Sequence, residues 1–287
     1  MLVELVDTWT ADGVRLNGAL QVADSPPAGS VRADAVLLLS GVGSNFYGSS
    51  LMASLASMCN ESGIAALRVN TRGHDGVSTA STDDGGRTIG AAYEIVDDCR
   101  YDVQAWADFL IGRGFERIAI LGHSLGAIKS IYSQAKEPHA AVTTIIAVSP
   151  PCLSHERFRS GEKAADFVQS FEHAQQLAAA DRADMLFKAT FPFPMVMSAG
   201  TYLDKYGAQS RYDITTFATE LRTDVLFAYG ELELMDGGVA FAGLVDEIPR
   251  LAWDESPQVV TIPGANHFYS NCHDLLRRTV RRYLTFG

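Results

Sequence analysis

Polar and apolar positions alternate over residues 2–10 and again over 14–23, on either side of Asp12-Gly13. That pattern predicts two antiparallel strands joined by a tight turn. After the loop Ser25-Pro-Pro-Ala-Gly-Ser30, the run Ala35-Val-Leu-Leu-Leu39 is apolar at every position. A parallel strand covered on both faces has that composition. Helix and strand patterns then take turns: 49–62 helix, 64–69 strand, 96–112 helix, 117–121 strand, a helix to residue 136, and 143–148 strand, stopped by Pro150-Pro151. A Gly-rich polar stretch at 73–92 interrupts them as a long loop. Residues 152–222 carry no buried strand pattern and read as helices around an irregular Phe191-Pro-Phe-Pro194 segment. Strands resume at 224–229 and 258–262, and a helix at 271–284 closes the series. The alternation predicts an α/β domain: a mostly parallel twisted sheet, right-handed crossovers and helices on both faces. Residues 1–151 and 223–287 form its core, and 152–222 form a helical cap inserted into it.

Composition narrows the picture only slightly. With 287 residues, 47% of them hydrophobic, the chain can bury a large core without staples. A net charge of −11 disfavours nucleic acid as a partner, because phosphate needs a basic face. The basic run Arg277, Arg278, Arg281 and Arg282 falls at helical spacing and reads as a solvated helix face. Cys59, Cys99, Cys152 and Cys272 are dispersed, so free thiols are expected and no metal cluster. The first residues lack a basic, apolar leader, and no window offers about 18 uninterrupted apolar residues. The expectation is a cytoplasmic protein with no membrane span, no metal and no cofactor. Homo-oligomerisation is left open.

Gly122-His-Ser-Leu-Gly126 is the one G-x-S-x-G in the chain. It follows the apolar strand 117–121 at once and opens a helix, the context a nucleophilic serine needs. Glycines two positions to either side relieve crowding in so sharp a turn, and the helix N-terminus aims its amides at a developing anion. Ser124 is therefore the candidate nucleophile. Its neutral hydroxyl needs a general base. His267, in Gly264-Ala-Asn-His-Phe268 just after the last strand, would share one sheet edge with Ser124, because parallel strands end on the same side. A carboxylate should orient that imidazole. Gly230-Glu-Leu-Glu233 follows strand 224–229 and offers Glu231 and Glu233, with Asp236 a turn further on.

The order serine, acid, histidine resembles that of the α/β-hydrolase superfamily, in its esterase, monoacylglycerol-lipase and serine-aminopeptidase-like branch. Asn70-Thr-Arg-Gly-His-Asp-Gly-Val-Ser78 is similar to the superfamily's D-x-R-G-H-G-x-S segment, with Asn for Asp and an extra residue near its end. The resemblance implies that Glu233, three residues after the glycine ending its strand, is the acid. It also implies an oxyanion hole built from the backbone N–H groups of Leu125 and Val42. The turn carrying Val42 begins Ser40-Gly41 where the superfamily usually has His-Gly.

The reaction that follows is cleavage of a carboxylic ester through an acyl-enzyme on Ser124. Thioesters, lactones and amides would use the same parts. Residues 152–222 hold 10 aromatics among 71 residues, which suggests an apolar lid and a greasy acyl or aryl group as well as an insertion core. Tyr47, Tyr93 and Cys152 are weaker candidates for the pocket wall. Competing readings are an acyltransferase on the same residues, a non-hydrolytic lyase or oxygenase, and an inert binding module.

Overall fold

The computed structural model describes residues 2–285. Its first hairpin, β1 (Glu4–Trp9) and β2 (Arg15–Gln21), turns at Gly13, whose φ of +76° suits glycine. Then come β3 (Ala35–Leu39), helix α1 (Ser50–Glu61) and β4 (Ala65–Val69). The Gly-rich stretch holds a small separate hairpin, β5 (Ser78–Thr82) and β6 (Gly85–Ile89). Helix α2 (Cys99–Gly112), β7 (Ile118–His123), α3 (Leu125–Lys136) and β8 (Val142–Val148) continue the alternation. An insertion follows: α4 (His155–Ser160), α5 (Ala164–Ala179), the hairpin β9 (Leu186–Ala189) and β10 (Met195–Ser198), α6 (Ala199–Tyr206) and α7 (Ile214–Phe217). The chain closes with β11 (Asp224–Gly230), α8 (Glu231–Asp236), α9 (Leu244–Glu247), β12 (Gln258–Ile262) and α10 (His273–Leu284).

Eight strands form the central sheet in the order β1-β2-β4-β3-β7-β8-β11-β12. Pairings β1–β2 and β2–β4 are antiparallel, and all others are parallel. Successive side chains of β3 leave the sheet on opposite faces. Val36 and Leu38 pack with Leu55, Met58, Leu276 and Val280 from α1 and α10, whereas Leu37 and Leu39 pack with Val103, Trp106 and Leu110 from α2. Burial on both faces is why this strand has no polar position.

The insertion does not have a core of its own. Phe158, Phe167, Phe191 and Tyr202 belong to the same buried cluster as Ile128 and Ile131 of α3. The hairpin β9–β10 departs from the all-helical expectation. Its strands are four residues each, too short to show a period, and the Phe191-Pro-Phe-Pro194 segment lies in the turn between them.

Backbone and ionic contacts tie the insertion to the segment between β6 and α2 and to α3. Ser198 N–H and Thr201 Oγ1 both donate to the Ala92 carbonyl, at 2.7 and 3.2 Å. The Val96 N–H donates to Asp204 at 2.8 Å. Deeper in, Glu94 sits between Lys129 of α3 and Lys205 of α6, all three buried, and Lys129 also donates to Thr71 Oγ1 at 2.9 Å. Burial pushes the Glu94 carboxyl up, but the two ammonium groups outweigh it and hold it at about 2. Its stabilising contribution is therefore present above the ordinary carboxyl range and lost as pH falls toward 2. Glu94→Gln would leave two buried ammonium groups facing each other without the carboxylate they share. We expect a loss of about 3–5 kcal/mol, read as a lower thermal midpoint at neutral pH, and an unchanged midpoint would refute this.

Candidate active site

Between β7 and α3 the chain reverses direction over a single residue. Ser124 has φ 56° and ψ −124°, a conformation costly for any side-chain-bearing residue. Its flanking glycines have little choice. A Cβ on Gly122 would lie 2.2 Å from the Gly126 carbonyl oxygen, and one on Gly126 would lie 2.3 Å from that of Leu39. Both obstacles are backbone and cannot swing aside.

Three strand ends on one edge of the sheet supply the other groups. His267, in the loop after β12, places Nε2 3.0 Å from Ser124 Oγ. Its Nδ1 is hydrogen-bonded to Glu233 Oε1. Glu233 is buried in the first turn of α8, directly after β11. Its second oxygen accepts from Ser149 Oγ at 2.6 Å and from the Gly230 N–H at 3.2 Å. Glu233 thus also caps α8, being the acidic residue three positions into the helix that reaches back to the preceding amide. The capping bond gives a carboxylate three residues beyond Gly230 a structural reason of its own. Glu231 turns away and accepts from the Gly264 N–H at 2.8 Å, and Asp236 is exposed at the helix end.

His123 packs beneath this group. Its ring centre is 4.9 Å from that of His267, and its Nε2 is 2.8 Å from the His267 carbonyl. Burial, with the neighbouring His267 adding to it, pushes the His123 imidazole down to about 3, so it is neutral and donates to that carbonyl. Its position beside Ser124 is its only mark in the sequence.

Leu125 is the first residue of α3, so its N–H has no acceptor within the helix. The turn after β3 approaches Ser124 closely: a Cβ on Gly41 would be 3.6 Å from Ser124 Oγ. Val42 follows in that turn. The departures from the superfamily pattern help to hold it. Ser40 Oγ donates to the Asn45 carbonyl at 3.5 Å, and Asn70 Oδ1 accepts from the Phe46 N–H at 3.0 Å. Arg72, in the same segment as Asn70, is buried against Asp102 and Asp12 and braces the loop at 2.8–2.9 Å.

A cavity of about 690 Å³ opens over Ser124 and His267, walled by Val42, Leu51, Phe193, Met195 and Phe268, with Ser44 and Ser49 as polar points. A cavity of about 790 Å³ lies elsewhere, beside Pro26, Asn60 and Arg281, and has no histidine in its wall. Tyr47, Tyr93 and Cys152 do not line the cavity at Ser124. Tyr47 is exposed and packs edge-on against Phe46 beside a different surface cavity. Tyr93 is half-buried next to the Glu94 cluster. Cys152 is buried, with Sγ donating to Asp213 at 3.1 Å, and burial pushes its thiol up.

The family model described as the alpha/beta hydrolase family matches residues 36–279. The chain belongs to the alpha/beta hydrolase family. No curated protein matches it in sequence. Its fold is that of solved alpha/beta hydrolases. Est1E from Butyrivibrio proteoclasticus with ferulic acid bound is 19% identical with a TM-score of 0.67, over 96% of both chains. GrgF from Penicillium sp. sh18 is 15% identical with a TM-score of 0.72, over the whole of both. A soluble variant of the monoglyceride lipase of Saccharomyces cerevisiae, in complex with a substrate analogue, is 13% identical with a TM-score of 0.64, covering 99% of this chain and 97% of that one. Among the described residues of this alpha/beta hydrolase, no group of three or more His, Cys, Asp or Glu could hold a metal ion, and no helix is long and apolar enough to cross a membrane.

Proposed function

We propose that this alpha/beta hydrolase is a serine esterase acting on a carboxylic ester with a neutral apolar acyl or aryl group. The observation that carries the reading is the unbroken chain Glu233–His267–Ser124 at the floor of an uncharged cavity. Ser124 Oγ attacks the ester carbonyl while its proton passes to His267 Nε2. Glu233 holds Nδ1–H and offsets the charge of the imidazolium. The N–H groups of Val42 and Leu125 receive the oxyanion. As the carbon–oxygen bond breaks, His267 returns the proton to the leaving alkoxide. A water molecule then repeats the cycle on the acyl-enzyme and releases the acid. Residues 152–222 act as the cap, with Phe193 and Met195 of its hairpin forming the cavity roof. The neighbour Est1E, with ferulic acid bound, supports an aryl acid as one fitting occupant.

Two measurements test this. A fluorophosphonate probe should label the wild-type protein at Ser124, found by mass spectrometry. An unlabelled folded protein would favour an inert binding module. In a series of p-nitrophenyl esters of matched length, neutral acyl groups should exceed carboxylate-bearing ones in kcat/KM by about tenfold or more, because the cavity offers a charge no partner. Equal values across the two sets would overturn the apolar assignment.

A further inference from the structure

Seven non-glycine residues in the described chain have left-handed φ, and three of them converge on this site: Ser124 at 56°, Ser149 at 50° and Tyr269 at 55°. Ser124 has a role in the proposed reaction, but Ser149 and Tyr269 have none yet. Both are fully buried. Ser149 follows β8, where its N–H is fixed on the Ala228 carbonyl at 2.8 Å. Its hydroxyl is 2.6 Å from Glu233 Oε2 and 2.9 Å from the Tyr269 hydroxyl. The Tyr269 hydroxyl is also 3.0 Å from the Ala228 carbonyl.

The proton inventory orders these contacts. A carboxylate only accepts, so Glu233 takes the single Ser149 proton. The Tyr269 hydroxyl faces the Ser149 oxygen and the Ala228 carbonyl, and with the Ser149 proton on Glu233 it shares its single proton between them. Ser149 is thereby held with its hydrogen on Oε2, leaving Oε1 for His267 Nδ1. A bond of this kind to a buried carboxylate is charge-assisted and directional. Strained backbone persists where its surroundings enforce it, and here it is spent on aiming two hydroxyls at one acid.

We propose that Ser149 is a positioning residue of the reaction: its hydroxyl, seated by Tyr269, fixes the Glu233 carboxylate in the orientation that meets His267. This rests on the reading of Ser124, His267 and Glu233 given above. Without that donor, Oε2 keeps only the longer bond from the Gly230 N–H, and more of the negative charge falls on the oxygen facing His267. The imidazolium is then held more strongly, and the base becomes available only at higher pH. Other titratable groups around the carboxylate do not interfere. Burial, with Glu233 adding to it, holds the Tyr229 and Tyr269 phenols far above their ordinary range, and burial keeps His123 neutral.

The test uses Ser149→Gly and Tyr269→Phe, with Ser124→Ala as reference. Glycine accepts a φ of 50° without strain, so Ser149→Gly removes the hydroxyl and spares the backbone. Per site titrated with fluorophosphonate, its kcat should fall about 10- to 100-fold with KM unchanged. The acidic limb of its kcat/KM profile should move to higher pH, and Tyr269→Phe should move both readouts the same way by less. A folded Ser149→Gly protein with wild-type kcat and acidic limb overturns the proposal. Should Ser149→Gly fail to fold, Tyr269→Phe decides by the same two readouts. If Ser124→Ala keeps its turnover, the reaction reading itself falls. If Ser124→Ala is inactive while Ser149→Gly matches wild type, only the role of Ser149 falls.

Discussion

Ser124→Ala is expected to lower ester kcat by a factor on the order of 10⁵–10⁶ and to abolish fluorophosphonate labelling. The loss is that large because, among the described residues, no other hydroxyl is hydrogen-bonded to His267 Nε2; the cavity serines Ser44 and Ser49 are not. Ser149, the next hydroxyl along this network, faces Glu233 and not the cavity. Some rate above the uncatalysed reaction should persist, since the N–H groups of Val42 and Leu125 would still polarise the carbonyl. The variant should fold normally. Alanine at φ 56° carries the same backbone strain as serine, and the hydroxyl contributes only its bond to His267. Substantial turnover in a folded Ser124→Ala protein would remove the acyl-enzyme from the mechanism.

The second large effect is expected at the acid. Glu233→Gln keeps the size of the side chain but not its chemistry. An amide NH₂ facing His267 Nδ1 favours the tautomer with the proton on Nε2, and that nitrogen then cannot take the Ser124 proton. We expect kcat to fall about 10⁴-fold with the fold intact, as judged by circular dichroism and steady-state kinetics. Glu231→Gln and Asp236→Asn should stay near wild type, because Glu231 is engaged with Gly264 and Asp236 is exposed. The opposite ranking would move the acid to one of those two positions.

The parts of this protein legible in its sequence are those whose reason is local. The strand 35–39 falls where the apolar pattern puts it, because it lies in a parallel sheet between layers. The sharp turn at Ser124 is legible because two glycines are forced by backbone atoms 2.2–2.3 Å from any added Cβ. The meeting of Ser124 with His267 follows from topology, since parallel strands bring distant loops to one edge. What escaped depends on partners far apart in the chain. Lys129 looks like a solvated position on α3 until Glu94, from the loop before α2, and Lys205, from α6, arrive to bury it. Ser149 looks like a turn residue before two prolines, and only the register of β8 beside β11 brings it to Glu233. The hairpin β9–β10 and the short helix α9 are too brief to carry a period.

Glu233 holds His267 with one oxygen, and its other oxygen takes the Ser149 hydroxyl and the Gly230 amide at the start of α8. A six-residue helix is easily frayed, and this one begins at the edge of the sheet. Loosening its start would swing the acid away while every reacting side chain remained chemically intact. Mild heating or low denaturant should therefore silence the protein before its spectroscopic unfolding begins, and rapid cooling or dilution should restore it.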